Sequence, residues 1–444
     1  MPVAVERLTI TKAHARANPG NSPVDRESLS GKHGARIWGH IDIGPTMGHR
    51  PLTMHSPRRA KPTSGHPSAA PVPPRLSYFA TAAKGTEGLL RQELRELGIS
   101  PLQGDRGGVH FGGGLDDAFR VCLLSRIAIR VLELRTVVKL KRPDDLYAAV
   151  FEADLDDLLD PIKTLAVKAT VHSSQLTHSQ FVSRRVKDAI VDRQRARFGR
   201  RSNVDPRDPD VPFVVRLARD EMSLYVDLAG EPLHRRGYRA SGAAAPIKEN
   251  LAAALLRLAS YDGSLPLVDP CCGSGTIVLE AAMIASRRAP GLGRARFAME
   301  RFVRCGSKES EHYRSLRQRA YAEQHPQLDQ KITGADVDFD ALKLALQSKA
   351  QLRLDVHFER RDLLQSPPPD APGIVVTNPP YGVRLEGGEA LDRRIGQRLS
   401  RWSGHRLVVL SAGPGLARAL GKHPTFEHTL FNGNIECRAY GWDL

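Results

Sequence analysis

Cysteine and long apolar runs are scarce in this chain of 444 residues. The five cysteines include no C-x-x-C pair and make no even-numbered framework, which argues against structural zinc and against a disulfide scaffold. No apolar run approaches the ~20 residues of a membrane helix, and the N-terminus lacks the apolar segment of a secretory signal. These absences predict a cytoplasmic protein with no membrane partner and no metal.

Acidic residues are also in deficit. The sequence has 65 Lys and Arg against 49 Asp and Glu, a formal net charge of +16 at pH 7. This balance favours a polyanionic partner, because cationic side chains neutralise phosphates and release counterions. A basic protein without such a partner has the same composition, so charge alone leaves both interpretations open.

Residues 1–75 differ in composition from the rest of the chain. They hold 11 of the 31 prolines and show no apolar periodicity. Such a segment buries too little apolar surface to offset the entropy of ordering the chain. It is predicted to be a disordered basic tail, or else the result of a start site assigned too early, with the folded chain beginning near Leu76.

Alternating and helical apolar patterns follow one another from Leu76 to about Gly230, which predicts small α+β units. The apolar residues over 89–97 recur at helical spacing, and Gly98 stands where a C-terminal cap belongs. From Pro246 onward, strand and helix patterns alternate, as in a doubly wound parallel sheet.

A basic helix is predicted over residues 180–198. Only Asp188 and Asp192 balance the basic residues of this helix and of the Arg200-Arg201 pair that follows it. A solvated helix face is the commoner role of such a charge run, but the cation excess favours phosphate contact. The candidate contacts are Arg184, Arg185, Lys187, Arg193 and Arg197.

The stretch LPLVDPCCGSGTIVLEAAMIA predicts a strand of Leu265, Leu267 and Val268, then a glycine turn, then an apolar helix. Glycines let the backbone approach a ligand and leave amide N–H groups open at the helix N-terminus. A ligand of such a sheet binds at the carboxyl ends of the strands. One G-x-G turn is weak support, because many turns use glycine only for packing. No P-loop lysine follows, so ATP or GTP hydrolysis has no support.

Acidic residues end the next two predicted strands. Asp336 and Asp362 each follow an apolar stretch, and an acid after the second strand suits a ribose diol. The separation between Asp269 and Asp336 is much longer than the ~20 residues of a dinucleotide fingerprint. This separation disfavours an NAD enzyme and requires an Arg-rich insertion.

The fourth strand end carries the motif VVTNPPYG. Pro379 and Pro380 fix φ and remove two N–H donors, which leaves carbonyls free to accept hydrogen bonds. Asn378 adds a side-chain acceptor, and Tyr381 adds a flat ring. Two acceptors beside a ring suit the exocyclic NH2 of a base and would orient its nitrogen for attack. A strand-ending turn with a packed tyrosine explains the motif alone equally well, but the glycine turn and the strand-end acids upstream make that alternative poor.

Taken together, Asp269–Thr276, Asp336, Asp362 and Asn378–Tyr381 resemble the S-adenosylmethionine-dependent amino-methyltransferases. The stretches FATAAKGTEGLLRQEL, RVKDAIVDRQR, LYVDLAGEPLHRRGYR and APIKENLAAALL narrow the resemblance to the THUMP-domain RNA guanine-N2 methyltransferases, in particular the bacterial ones that act on 23S ribosomal RNA. The resemblance implies an α/β fold, in which a Rossmann-like class I methyltransferase sheet follows an α+β ferredoxin-like/THUMP module. The implied domains are the tail at 1–75, a ferredoxin-like part at 76–117, a THUMP RNA-binding domain at 118–230 and a methyltransferase domain at 231–444.

The resemblance also implies roles for individual residues. The methionine moiety of S-adenosylmethionine would lie against a turn near Asp269, made by Cys271, Gly273, Ser274, Gly275 and Thr276. Asp336 would hold the ribose hydroxyls, and Asp362 the adenine amino group. Asn378 and the Pro379 carbonyl would hold the target amine, with Pro380 stiffening the loop and Tyr381 stacking on the base. The basic helix would contact RNA, either 23S ribosomal RNA or an assembling large ribosomal subunit.

Some relatives carry a second methyltransferase domain, and that activity is expected to be absent here. The stretch HTLFNGNIECRAYGW predicts a closing hairpin with Asn432-Gly433 at its turn. Three alternatives stay open: a transfer-RNA guanine-N2 methyltransferase, an adenine-N6 nucleic-acid methyltransferase and, least favoured, a non-enzymatic RNA-binding protein. The basic α+β module without a helix-turn-helix favours RNA over DNA.

Overall fold

The computed structural model describes residues 77–239, 247–380 and 388–444. The predicted tail at 1–75 and Tyr381 lie outside these ranges. Within them, no helix combines the length and the apolar character that crossing a membrane requires.

A seven-stranded sheet forms the first half of the described chain. Its strands are β1 (Tyr78–Thr81), β2 (Leu102–Asp105), β3 (Gly108–Phe111), β4 (Arg130–Lys139), β5 (Leu165–His172), β6 (Val211–Ala218) and β7 (Glu221–Asp227). Their order is β2-β3-β1-β4-β7-β6-β5, with β5 and β6 the parallel pair. The helices are α1 (Glu87–Glu96), α2 (Leu115–Leu124), α3 (Asp145–Glu152) and α4 (Ser179–Phe198).

The burial pattern shows that these helices pack on one face of the first sheet. In β6, Phe213, Val215 and Leu217 are buried in one core with residues of all four helices, and the residues between them are less buried. This alternation is the period of a strand with one covered face. The predicted boundary between residues 117 and 118 falls inside α2, and β4 pairs with both β1 and β7, so one sheet runs through both predicted parts.

A second seven-stranded sheet forms the other half. Its strands are β8 (Leu267–Asp269), β9 (Ile332–Asp336), β10 (His357–Arg360), β11 (Ile374–Thr377), β12 (Arg406–Ser411), β13 (Phe426–Asn432) and β14 (Ile435–Asp443). The helices are α5 (Glu249–Leu258), α6 (Thr276–Ala285), α7 (Ser307–Ala322), α8 (Phe339–Leu352), α9 (Gly388–Leu399) and α10 (Gly415–Leu420). The strand order is β10-β9-β8-β11-β12-β14-β13; β8 to β12 are parallel, and β14 is antiparallel to both β12 and β13.

Apolar clusters cover both faces of this second sheet. One contains Val376 of β11 together with residues of α5, α6 and α8, and the other contains Val375 together with residues of α9 and α10. Both valines are fully buried, which stabilises the fold by about 1.5–3 kcal/mol for each side chain. The predicted α/β fold class is confirmed.

The strand order places a crevice at one edge of the second sheet. The chain passes from β8 outward to β9 and β10, then returns to β11 on the other side of β8. Ligands of open α/β sheets bind at such a reversal, at the carboxyl ends of the strands. Asp269 ends β8 and Asn378 directly follows β11, so both lie at this reversal.

The predicted insertion between the first two strands of the second sheet packs against the first half of the chain. Its residues Phe297, Phe302 and Tyr313 are buried in the core of the first sheet. The Tyr313 ring stacks on Phe119 of α2, with the ring centroids 4.4 Å apart. The insertion therefore joins the two halves through an apolar contact.

Two local predictions are wrong. Leu265 lies before β8 and is 47% exposed, because the strand begins only at Leu267. The closing hairpin pairs Asn432 with Ile435, so its turn residues are Gly433 and Asn434 rather than Asn432 and Gly433. Strand β2 and helix α3 were not predicted.

Candidate active site

A cavity of about 820 Å³ lies at the carboxyl ends of β8, β9 and β11. Most of the predicted site residues line it: Asp269, Cys271, Gly273, Ser274, Thr276, Asp336, Asp362, Asn378, Pro379 and Pro380. Gly275 does not line the cavity but lies close to the Phe358 ring. Tyr381 lies outside the described residues. Four separate stretches of sequence thus meet at one cavity.

The glycine turn after β8 is fixed by its own backbone and by the next strand. Gly273 has φ +53°, and its N–H donates to Asp336 Oδ2 at 2.7 Å. Gly275 has φ +80°, and a Cβ there would lie 2.7 Å from the Phe358 ring. The left-handed region favours glycine at both positions, and Gly275 also has no space for a side chain.

Asp269 is the most enclosed carboxylate of the cavity. It is 1% exposed and accepts a hydrogen bond of 3.1 Å from the Cys271 N–H. Burial, helped by the negative charge of Asp336, raises the pKa of Asp269 to about 7. The cavity floor therefore carries a carboxyl group that changes its charge near neutral pH.

The other two acids are held by turns that follow their strands. Asp336 Oδ1 accepts from the Asp338 N–H at 2.9 Å, while its Oδ2 accepts from the glycine turn. Asp362 accepts from the Leu364 N–H and from the side chain of Gln365, both at 2.9 Å. Each carboxylate oxygen can accept two hydrogen bonds, so both acids keep acceptor capacity on the cavity side.

Asn378 presents an acceptor without a partner. Its side-chain Oδ1 is buried, and no group of the described ranges donates a hydrogen bond to it. Other buried atoms of the described chain share this condition, but Asn378 lines the cavity, where a ligand can supply the missing hydrogen bond. Pro379 is buried and Pro380 is exposed, and neither has an N–H that could occupy the acceptor.

Several lining residues were missed by the sequence analysis. The tip of the closing hairpin forms one wall with Asn432, Gly433 and Ile435, and Leu391 and Ile395 of α9 form another. These residues are distant in sequence from the glycine turn, and they carry no motif. Lys248, which directly precedes α5, also lines the cavity.

Arg239 is a further residue that the sequence analysis missed. One of its terminal nitrogens donates to Thr276 Oγ1 at 3.2 Å and to the Ile247 carbonyl at 2.8 Å. Its Nε lies 3.1 Å from a carboxylate oxygen of Glu249. The guanidinium thus ties the start of α6 to the start of α5 beside the cavity.

The two cysteines of the turn remain protonated thiols. Burial is the main cause that raises the pKa of both Cys271 and Cys272. No group of His, Cys, Asp and Glu side chains within the described chain is arranged to hold a metal ion. Cys272 is buried and Cys271 is partly buried, and both line the cavity.

Most of the α4 cations that were predicted to contact phosphate form ion pairs with acidic side chains. The pairs are Arg185–Asp144, Lys187–Asp188, Arg193–Asp156 and Arg197–Asp156. Asp144 and Asp156 come from outside the helix, so the count of Asp188 and Asp192 as the only balancing acids is wrong. Arg184 is exposed and pairs with no residue that the structure describes. The RNA contact of this helix stays a prediction.

Comparison with known domain families gives three matches. The family described as "RMKL-like, methyltransferase domain" matches residues 236–440. The family described as "RlmL ferredoxin-like domain" matches residues 77–132, and the THUMP domain matches residues 141–227. The ferredoxin-like match extends past residue 117, where the sequence analysis ends that part.

Whole proteins and a solved structure are similar as well. A ribosomal RNA large subunit methyltransferase K/L of Syntrophotalea carbinolica is 40% identical over 387 residues, which cover 83% of this chain and 54% of that protein. A putative RNA methyltransferase of Synechocystis is 35% identical over 373 residues, which cover 83% of this chain and 96% of that protein. The crystal structure of a putative methyltransferase complexed with SAH matches with a TM-score of 0.76 at 27% identity, over 84% of this chain and 98% of that one.

Proposed function

The chain belongs to the RNA methyltransferase family that combines an RlmL-type ferredoxin-like domain, a THUMP domain and an RMKL-like methyltransferase domain, and we propose from this premise that it methylates the exocyclic N2 amine of a guanine in 23S ribosomal RNA. The cofactor is S-adenosylmethionine. The chain spans about half the length of the Syntrophotalea protein, so the proposal concerns the activity of this part.

The residues of the cavity fit S-adenosylmethionine. The partly buried turn at Gly273 and Ser274 lines the cavity, and its glycine gives the methionine moiety a close approach to the backbone. The carboxylates of Asp336 and Asp362 provide acceptors for hydroxyl and amino groups, and Val337 adds an apolar wall. Bound there, the cofactor supplies a methyl group already activated by a positively charged sulfur.

The unpartnered Asn378 Oδ1 is the single observation that carries the proposal. Together with the carbonyl of Pro379, it would accept both hydrogens of an exocyclic amine. Holding the amine in this way draws its nitrogen towards a tetrahedral geometry and makes its lone pair available. Because the donor is already activated, positioning and local electrostatics provide most of the acceleration. No general base is required before transfer, since the proton leaves the amine afterwards.

The target base has to leave its helix before it can reach this cavity. Enzymes that modify a base act on single strands or on a base flipped out of its stack. The acceptor at Asn378 lies at the end of a buried central strand, where a base still paired in a duplex cannot reach. The substrate guanine is therefore in a single-stranded or flipped-out state.

Methyl transfer from radiolabelled S-adenosylmethionine tests the proposal. Deproteinised 23S ribosomal RNA, large ribosomal subunits, transfer RNA and DNA are offered separately, and the labelled nucleoside is identified after digestion. We expect N2-methylguanosine from 23S RNA or from the subunit. Label in transfer RNA would favour the transfer-RNA alternative, label in N6-methyladenosine would contradict the choice of amine, and no label in any substrate would contradict the enzymatic function.

The Asn378→Ala variant tests the role of the acceptor. We expect at least a thousandfold loss of kcat, with S-adenosylmethionine affinity within about threefold of wild type. Asn203→Ala is the matched control, because Asn203 is exposed and does not line the cavity. If Asn378→Ala kept most of the activity, another group would have to hold the amine.

A further inference from the structure

The closing hairpin of the second sheet extends past the edge at which the cavity lies. Ser411, the last residue of β12, pairs with Arg438 of β14. Strand β14 begins three residues earlier, at Ile435, so the hairpin tip reaches about 10 Å beyond the end of β12. At the tip, Ile435 pairs with Asn432 of β13, and both residues line the cavity. The tip therefore forms a wall that stands above the edge of the sheet.

The strand order places this wall on the side of the target base rather than on the side of the cofactor. Asp269 and Asp336 end β8 and β9 on one side of β11, and the hairpin lies on the other side of β11. Asn378 directly follows β11 and so lies between the acids and the hairpin. Strand β14 is two strand spacings, about 10 Å, from β11. With the amine held at Asn378 and the cofactor on the acidic side, the hairpin is the wall that remains for the base.

Ile435 is the side chain of this wall that suits a base. It lies on the same face of β14 as Cys437 and Ala439, which are buried in the core of the second sheet. The apolar stripe continues past the edge of the sheet with Ile435, which is 49% exposed. Enzymes that flip a base out of its stack hold it between aromatic and apolar side chains. An exposed apolar side chain in the cavity wall can provide one of these surfaces.

The first half of the chain contacts the hairpin through the loop between β1 and α1. His428 Nε2, on β13, donates a hydrogen bond of 2.7 Å to the Gly85 carbonyl. The Lys84 ammonium lies 3.8 Å from the centre of the Phe431 ring, in a cation–π contact. Phe431 directly precedes Asn432 of the cavity wall. Because a two-stranded hairpin has little stability of its own, contacts so near the tip determine where the tip lies.

The loop can approach β13 closely because residue 85 is glycine. Gly85 has φ +88°, and a Cβ there would overlap the carbonyl oxygen of Thr429. The loop is itself fixed, because the Glu87 carboxylate accepts from the Gly85 N–H at 2.8 Å and from the Gly107 N–H at 3.2 Å. A fixed loop of the first half thus contacts the backbone of the edge strand of the second sheet.

We propose that the β1–α1 loop positions the closing hairpin so that Ile435 packs against the ring of the target guanine. Gly85 and His428 are then positioning residues for methyl transfer, and Ile435 contacts the substrate. The inference rests on the proposed function for the identity of the base, whereas the positioning of the hairpin is a property of the protein alone. The first half of the chain thereby helps to shape the cavity of the second half.

Hydrogen exchange tests the positioning without any substrate. Gly85→Ala should push the loop away from β13, so we expect the amides of residues 430–436 to exchange about tenfold faster than in the wild type. Gly98→Ala is the matched control, because Gly98 also lies in the first half with positive φ, but a Cβ there meets nothing within 4 Å. The control should leave exchange in the hairpin unchanged. Wild-type exchange in Gly85→Ala, or the same increase in the control, would overturn the proposal.

His428 provides a milder substitution with a conservative rescue. His428→Ala removes the donor to Gly85, whereas His428→Gln keeps a side-chain N–H donor. Methyl transfer to 23S RNA is measured per cofactor-binding site, so that a loss of folded protein does not lower the value. We expect kcat to fall about fivefold in His428→Ala, with S-adenosylmethionine affinity within about threefold of wild type, and to recover in His428→Gln. An unchanged kcat in His428→Ala would contradict its positioning role.

Ile435→Ala tests the contact with the base. We expect kcat/KM for the RNA to fall about tenfold with normal cofactor affinity, and Ile435→Leu to keep most of the activity. Ile162→Ala is the control, because Ile162 is 77% exposed and does not line the cavity. Full activity of Ile435→Ala would overturn the base contact. If the wild-type protein methylated no RNA, the proposed function and the base contact would both be wrong, and hydrogen exchange would still decide the positioning of the hairpin.

Discussion

The N–H of Gly273 donates a 2.7 Å hydrogen bond to the side chain of Asp336, so the acid at the end of β9 fixes the glycine turn that follows β8. The second oxygen of the same carboxylate holds the N–H of Asp338. One side chain thus organises two turns of the cavity and also lines it. A substitution of Asp336 should therefore have two effects on the cavity. It should remove a group that can contact a ligand, and it should destabilise the two turns that this side chain holds.

Replacing Asp336 by Asn or by Ala should weaken cofactor binding to two different degrees. Asn keeps one oxygen and can hold only one of the two turns, so we expect about a tenfold loss of affinity. Ala keeps none, and about a hundredfold loss is expected, since each hydrogen bond to a charged group contributes about 1.5–3 kcal/mol. Calorimetry of S-adenosylmethionine binding measures both. Asp355→Ala, an exposed acid before β10, is the control, and equal losses in the control would contradict the assignment.

Gly275→Ala should distort the cavity, although Gly275 does not line it. The added Cβ would lie 2.7 Å from the Phe358 ring. Alanine would also have to adopt the left-handed backbone conformation of Gly275. We expect loss of stability and at least tenfold weaker cofactor binding, because the start of α6 has to shift. Gly421→Ala is the matched control, since Gly421 also has positive φ but a Cβ there meets nothing within 4 Å. The control should lose stability only, without the binding defect, and equal binding defects would show that backbone strain alone is responsible.

The local sequence was sufficient to predict the strand ends of the site. Asp269, Asp336 and Asn378 each follow a short apolar run, and in a parallel sheet the carboxyl ends of such runs must meet at one edge. The Leu265 error has the same origin, because an apolar residue before a strand looks like part of it. The order of the strands in the sheet was not predicted, because apolar patterns do not show which strands are neighbours.

Contacts between distant residues were not predictable in this way. The charge count on α4 failed because Asp144 and Asp156 approach it from other segments. The cavity walls at Ile435 of the hairpin and at Leu391 of α9 likewise depend on tertiary packing. Neither residue belongs to a motif, and periodicity describes only one element at a time.

Asp269 should make stability depend on pH in an unusual direction. Its folded pKa, about 7, lies above its ordinary value of 3.8, so between these values the folded state keeps a proton that the unfolded state releases. This group's contribution to stability is therefore present at acidic pH and is lost as the pH rises to about 7. The isosteric Asp269→Asn variant cannot titrate there. Between pH 5 and pH 8 we expect the variant to gain about 3 kcal/mol of unfolding free energy relative to wild type, as urea denaturation measures. Parallel pH profiles for the two proteins would contradict the raised pKa.

The buried Arg236–Glu280 pair should be essential to the connection between the two halves. Arg236 lies in the segment after the first sheet, Glu280 lies in α6, and their side chains are 1% and 0% exposed with the charged atoms 3.4 Å apart. Glu280→Gln leaves the guanidinium buried without a counter-charge, so we expect a loss of about 3–5 kcal/mol of unfolding free energy. The neighbouring Arg235–Glu231 pair is more than 60% exposed, and Glu231→Gln should cost less than about 1 kcal/mol. Urea denaturation of both variants measures the difference, and equal small losses would mean that burial does not make the Arg236–Glu280 pair important.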